Sequence, residues 1–174
     1  MKRIVIASVV MMLLFALAAQ AQTPPPGPEH KKLGVWIGTW TGEGKDEATP
    51  FGKGGAHKST SSCAWFDGGY QVVCNGEGSG PMGKTKVLDI LGYSVAKKQY
   101  FVFFAESTGD SAMIPGKVDG SVWTYESSDT VQGKTYQFRV AFKFASPNEY
   151  TFKSEYSEDG KNWKLYSEGK SIKR

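Results

Sequence analysis

Gly38-Thr39-Trp40-Thr41-Gly42-Glu43-Gly44 is the stretch on which the fold of this chain turns. Glycines at 38, 42 and 44 share one phase of a period-two strand with Trp40, so one face carries a single large ring and otherwise bare backbone. A strand of that kind seals one end of a β-barrel, because the ring needs bare backbone beside it to lie flat. The pattern predicts a container more firmly than its contents. No complete catalytic constellation or strong metal motif accompanies it.

Outward from this strand the signals are those of a single meander. Before it, Pro28 to Val35 suits a short helix, with Pro in the first turn and Glu29 near the positive end of the helix dipole. Leu33 and Trp36 would then plug a barrel end. After it, turn residues bound strands near 37–45, 57–66, 70–78, 84–93, 99–106, 111–118, 121–127, 134–145, 149–157 and 162–172. The clearest alternation sets Tyr136, Phe138, Val140, Phe142 and Phe144 against Gln137, Arg139, Ala141 and Lys143. Tyr150, Phe152 and Tyr156 repeat it, and Trp163 and Leu165 extend it into the last strand. Such strands with short turns build an all-β sandwich or an antiparallel up-and-down barrel of about ten strands, and the frequent Gly favours the barrel.

The first 21 residues read as an export signal: Lys2 and Arg3, an apolar run from Ile4 through Ala19, and Ala19-Gln20-Ala21 before a cleavage point at Gln22. The run is too short to span a bilayer, and Pro24-Pro25-Pro26 stops it. Residues 22–27 are then a Pro-rich leader and 28–174 one domain, in a periplasmic or secreted product with no stable membrane anchor. Losing Lys2 and Arg3 lowers the formal net charge from +4 to +2, spread over isolated lysines, which disfavours nucleic acid as a partner. An oxidising compartment permits a disulfide between Cys63 and Cys74. A hairpin turn at Gly68-Gly69 sets the two directly opposite one another, within bonding range.

Asp89 interrupts the apolar run Val87-Leu88-Asp89-Ile90-Leu91 and is a polar anchor at a pocket floor or a general acid if it faces inward. Glu106 ends the aromatic strand Tyr100-Phe101-Val102-Phe103-Phe104, but neither it nor Glu43 has the spacing of a carboxylate dyad. The serines at 59, 61 and 62 lack a nucleophile-elbow context, and the Gly-rich stretches 52–55 and 76–80 do not open helices as phosphate cradles do. His30 and His57 read as solvated surface histidines, and no metal or cofactor is assigned.

The Gly-x-Trp strand behind a short helix resembles the calycin superfamily of lipocalins and fatty-acid-binding proteins, and its Gly-Thr-Trp-Thr-Gly-Glu-Gly form is most similar to the nitrobindin-type ten-stranded branch. Pro28-Glu29-His30-Lys31, Ile37-Gly38-Thr39-Trp40, Leu91-Gly92-Tyr93 and Lys97-Lys98-Gln99-Tyr100 are together similar to exported bacterial lipocalin-like proteins of unknown function. The resemblance implies a closed barrel with an interior pocket. Nitrobindins hold haem through a histidine near the C-terminal end, and here no His follows His57. The residues expected to line the pocket are Trp40, Asp89, Trp123, Tyr125, Phe138, Phe142, Tyr150 and Phe152, a mainly apolar wall suited to a small apolar molecule. Two other functions compete with this one. One is a barrel isomerase or hydrolase using Asp89 or Glu106; the other is a filled-core interaction protein working through Thr49–Gly55 or Thr108–Pro115.

Overall fold

The computed structural model describes residues 24–174, so the expected export signal and cleavage point lie outside the described residues. A one-and-a-half-turn helix α1 (Pro28–Lys32) runs into a 3-10 turn (Leu33–Trp36). Ten strands follow: β1 (Gly38–Asp46), β2 (Gly55–Trp65), β3 (Gln71–Gly80), β4 (Gly83–Ser94), β5 (Gln99–Glu106), β6 (Ser111–Asp119), β7 (Val122–Val131), β8 (Lys134–Ser146), β9 (Glu149–Ser157) and β10 (Lys164–Lys173). The expected strands are all present; β7 runs on further, to Val131, and β10 starts later, at Lys164.

Each strand pairs antiparallel with its chain neighbour, and β1 pairs with both β2 and β10, so the sheet closes into a barrel. Closure leaves no strand edge to pair with another chain. The registers fix which side chains enter. Trp40 sits opposite Ser61, Cys63 opposite Cys74, Cys74 opposite Asp89, and Asp89 opposite Phe104, so all of these share the inward phase. Trp123, Tyr125, Phe138, Phe142, Tyr150 and Phe152 also point inward, as the period-two reading requires. The disulfide joins Cys63 and Cys74, whose Cα atoms are 4.0 Å apart. Its hairpin closes with one more residue on each side than a two-residue turn: Phe66 N–H donates to Gln71 O, and Gly69 N–H donates to Phe66 O. The register is unchanged.

One pole is closed by the helical segment. Leu33 is 0% and Trp36 6% exposed, and the Trp36 ring lies 5.0–5.7 Å from those of Phe144, Phe142, Tyr150 and Trp123. Trp40 Nε1–H donates to Trp36 O at 2.7 Å, tying the first strand to the plug. The glycines of β1 have a different purpose from the one expected of them. A side chain at 42 would strike Ser59, and one at 44 would strike the His57 ring; neither meets Trp40. These bare positions admit side chains from β2.

Three expectations are corrected here. Trp163 packs outside the wall under the Arg139 guanidinium, 4.1 Å from its ring centre, and Leu165 pairs with the outward Glu155. A bulge between Leu165 and Ser167 then brings Tyr166 to the interior instead. His30 is not solvated: it is 5% exposed, edge-on to Tyr70 and Tyr93 in the plug. His57 is inward as well, with Nδ1 2.9 Å from Asp46 Oδ1.

Candidate functional site

The eight expected lining residues enter one interior but at three depths. Trp40, Trp123, Phe142 and Tyr150 belong to the ring cluster beneath the plug, with Trp40 and Tyr150 centroids 4.9 Å apart. Asp89, Tyr125 and Phe152 occupy the middle, and Phe138 lies toward the opposite pole, 5.3 Å from Phe51. A cavity of about 150 Å³ lies between the middle and the open pole, bounded by Ile114, Tyr125, Phe138 and Tyr166 and reaching the Arg139–Glu155 ion pair. That is the size of a void that holds one benzene-like ring.

Polar groups are few and directed. The Tyr125 ring lies over Gly116, where any side chain would collide with it, which lets the phenol reach across β6 toward β4 and β5. Its hydroxyl is buried, with the residue 3% exposed, and has no hydrogen-bond partner. Burial raises its pKa above the ordinary tyrosine range, and the nearby Asp89 carboxylate pushes it the same way. Burial also pushes Asp89 up from 3.8 to about 6, helped by the charge of Glu106, which faces inward from β5 opposite Val87. Tyr150 is raised by burial, with Asp89 adding to the shift against a lowering contact from Ser171. Tyr166 is raised by burial and by the charges of Asp46 and Glu106. Asp89, set in a run apolar on both faces of the pleat, therefore faces the interior, where its charge acts on Glu106, Tyr125 and Tyr150.

The open pole is covered by the β1–β2 loop. Thr49 and Gly52 exchange backbone hydrogen bonds of 3.1 and 3.3 Å, making a tight turn that carries Phe51 back over the mouth. There its ring packs against Tyr136, Phe138, Tyr156 and Tyr166, at centroid distances of 4.9–6.0 Å. Phe51, Tyr166 and Asp46 were not singled out from sequence, and His57 was read there as a surface histidine. Phe51 sits in a loop with no periodicity, Tyr166 needs the bulge, and His57 needs the β1–β2 register. A broader concavity of about 860 Å³ spans β7 to β10, β1 and β2, rimmed by Lys45, Lys58, Lys143, Lys153 and Lys170 and lined also by the inward His57 and Phe152 beside the bare Gly44 and Gly169. The lysines point away from the barrel, and three of them pair with Glu47, Glu155 and Glu43.

The residues do not fit a haem. The 150 Å³ cavity is too small for a macrocycle, His30 is packed in the plug, and His57 is held against Asp46 over the bare Gly44.

A closed ten-stranded antiparallel barrel, plugged by a short helix at one pole and holding a ring-lined cavity toward the other, defines a lipocalin-like architecture. This chain belongs to the family described as Protein of unknown function (DUF1579), whose model matches residues 25–172. No curated protein matches it. Among solved structures it is similar to Rv2717c from M. tuberculosis, at 15% identity and a TM-score of 0.62, covering 86% of this chain and 99% of that one. It is also similar to the S-type phycobiliprotein lyase CPES from Guillardia theta, at 10% identity and a TM-score of 0.52, covering 84% and 92%. At these identities the likeness is one of fold.

Proposed function

We propose that the protein is exported and binds a small, mainly apolar molecule inside the barrel. The observation that carries this is the cavity lined by the rings of Tyr125, Phe138 and Tyr166, near Phe51, and bordered by the buried Tyr125 hydroxyl, which has no partner. Ring surface supplies affinity and a few polar groups set orientation, which is the usual division of labour in a ligand pocket. The cavity is smaller than the several hundred Å³ typical of such pockets. The guest is therefore a single ring or short chain, or it is a larger molecule admitted when Phe51 moves aside. Tyr125 and Phe138 line the cavity, while Trp40, Asp89, Trp123, Phe142, Tyr150 and Phe152 face the same interior without lining it. The domain limits at 21 and 27, the secreted or periplasmic location and the nitrobindin-like descent of the first strand belong to the same proposal. The disulfide suits an oxidising compartment.

Native mass spectrometry after mild purification is expected to reveal a retained small molecule. A uniformly empty protein that also excludes apolar fluorescent probes would overturn the reading. A second reading, acid–base catalysis by an isomerase or hydrolase, is favoured by one observation: Asp89 and Glu106 enter the same interior and each lies in the other's field. Any activity found by substrate screening that survives Asp89→Asn unchanged would remove that role.

A further inference from the structure

We propose that the plugged pole is a peripheral docking face for an anionic phospholipid surface: Trp65, Phe66 and Val95 enter the headgroup layer, and Lys31, Lys97 and Lys98 meet the lipid phosphates. This face lies on the outside of the barrel, separate from the interior guest proposed above.

Three segments pack together to build it. The β2–β3 and β4–β5 turns belong to neighbouring hairpins at the plug end, so they stand two strand spacings, roughly 10 Å, apart. Helix α1 is clamped between them. The buried His30 ring meets Tyr70 of the first turn and Tyr93 beside the second edge-on, at 5.1 and 5.6 Å, and the Tyr100 hydroxyl donates to the Glu29 carboxylate. The Trp65 ring lies against the 3-10 turn, 3.5 Å from where a Cβ on Gly34 would sit. On this framework Trp65 is 41%, Phe66 59% and Val95 68% exposed. Apolar side chains gathered on two adjacent turns mark a contact surface.

Charge is divided between the poles in the same way. The connections around α1 carry Lys31, Lys32, Lys97 and Lys98 against Glu29 and Asp67, whereas those at the mouth carry Glu47, Asp110, Glu158 and Asp159 against Lys53 and Lys161. Lys32 pairs with Glu29. Lys31, Lys97 and Lys98 are exposed and have no carboxylate partner among the described residues. Lys98 has a φ of 50°, left-handed backbone in which Gly or Asn is the ordinary occupant, so this turn presents a cation at a conformational cost.

Two observations favour a lipid surface over a protein partner. The apolar side chains stand on turns and project into water, which suits a fluid surface that needs no matching shape. Pro24 is held at this pole by the Tyr70 hydroxyl, and Pro26 lies beside Gly69, so the chain carrying the expected export signal, with its apolar run Ile4 to Ala19, joins the domain here. Apolar insertion and attraction of lysines to anionic lipid reinforce one another, and attachment of this kind is reversible, unlike a spanning anchor.

The test measures partition of the purified protein onto vesicles of phosphatidylcholine, alone or with about one-third phosphatidylglycerol. Every variant keeps the same N-terminus, so differences between variants report the pole. Partition onto the anionic vesicles is expected to exceed that onto the neutral ones at least tenfold at low salt, and to fall at least fivefold at about 0.5 M salt, where screening acts within roughly 4 Å. Lys31→Gln, Lys97→Gln and Lys98→Gln together should lower it at least tenfold, and Phe66→Ser at least threefold. Lys58→Gln with Lys143→Gln, on the outer wall, should leave it within twofold. Brominated lipid should quench tryptophan emission, and Trp65→Phe should remove at least half of that quenching with partition kept. No binding to anionic vesicles, equal losses in the pole and wall variants, or quenching unchanged in Trp65→Phe each overturns the proposal. A sedimenting dimer that Phe66→Ser dissociates, without vesicle binding, gives the face to a second copy and overturns it as well.

Discussion

A hydroxyl buried without a partner destabilises its own fold by about 1–3 kcal/mol, and Tyr125 carries one in the centre of the barrel. Tyr125→Phe is therefore expected to raise the stability of the empty protein by ~1 kcal/mol, read as a higher urea midpoint at constant slope, while weakening any polar guest. A hydroxyl held by an unseen structural partner would reverse the first effect. Asp89 has a signature in pH. The folded protein keeps its proton up to about 6, whereas the unfolded chain releases it near 3.8. Between those values the unfolded state binds fewer protons, so stability is full at low pH and falls as pH rises through the window, by roughly 2–3 kcal/mol. Asp89→Asn should flatten that fall, as shown by denaturant titrations at pH 4 and 7. A parallel pH profile in the variant would mean that the carboxyl is not buried. The inward phase of Asp89 was within reach of the sequence. The Pro81-Met82 turn counted outward sets Asp89 opposite Cys74, and the disulfide pairing sets Cys74 opposite Cys63. The apolar residues on both faces of β4 hid that phase, because period-two contrast is lost where the outer face is apolar too.

At the level of elements, the disulfide and the plug constrain the barrel in different ways. Cys63 and Cys74 are 11 residues apart, a short loop whose closure restricts the unfolded chain, while the β2–β3 ladder already fixes their register. Replacing both by Ala should lower stability by about 2–3 kcal/mol and leave the barrel folded. Far-UV circular dichroism and a urea titration check this, and two free thiols on alkylation of the untreated protein would show that the bond does not form. Trp36 is held by rings on four sides from β7, β8 and β9, so Trp36→Ala opens a large void and should cost about 3–5 kcal/mol. This segment was legible because Pro, Glu, Leu and Trp sit at helix-compatible positions just before an unmistakable strand. The strands were legible for the same reason, their alternation being local. The purpose of the glycines was not, since Gly42 and Gly44 answer to Ser59 and His57 on the next strand and only the cross-strand register reveals it.

Taken whole, the molecule has one firmly closed pole and one that is merely covered. At the plug, the indole of Trp40 donates to the Trp36 carbonyl, and four aromatic side chains surround Trp36 and Trp40. At the mouth, the cover is a loop, residues 47–54, anchored by the Glu47 N–H on Tyr166 O and by the Phe51 ring among four others. Loops open at lower free energy than strands and buried clusters, so exchange with solvent should run past Phe51. On the proposed ligand-binding reading, Phe51→Ala is expected to raise the on-rate and the off-rate of an apolar probe together by tenfold or more, with a modest change in affinity, because the ring covers the mouth and does not line the cavity itself. It should also admit probes of two fused rings that the native protein excludes. Trp36→Ala, though it costs more stability, should leave those rates within threefold, since its void opens toward the plug. Stopped-flow fluorescence on both variants separates the two poles. Faster exchange in Trp36→Ala alone would place the entrance under the helix and assign the loop no part in admission.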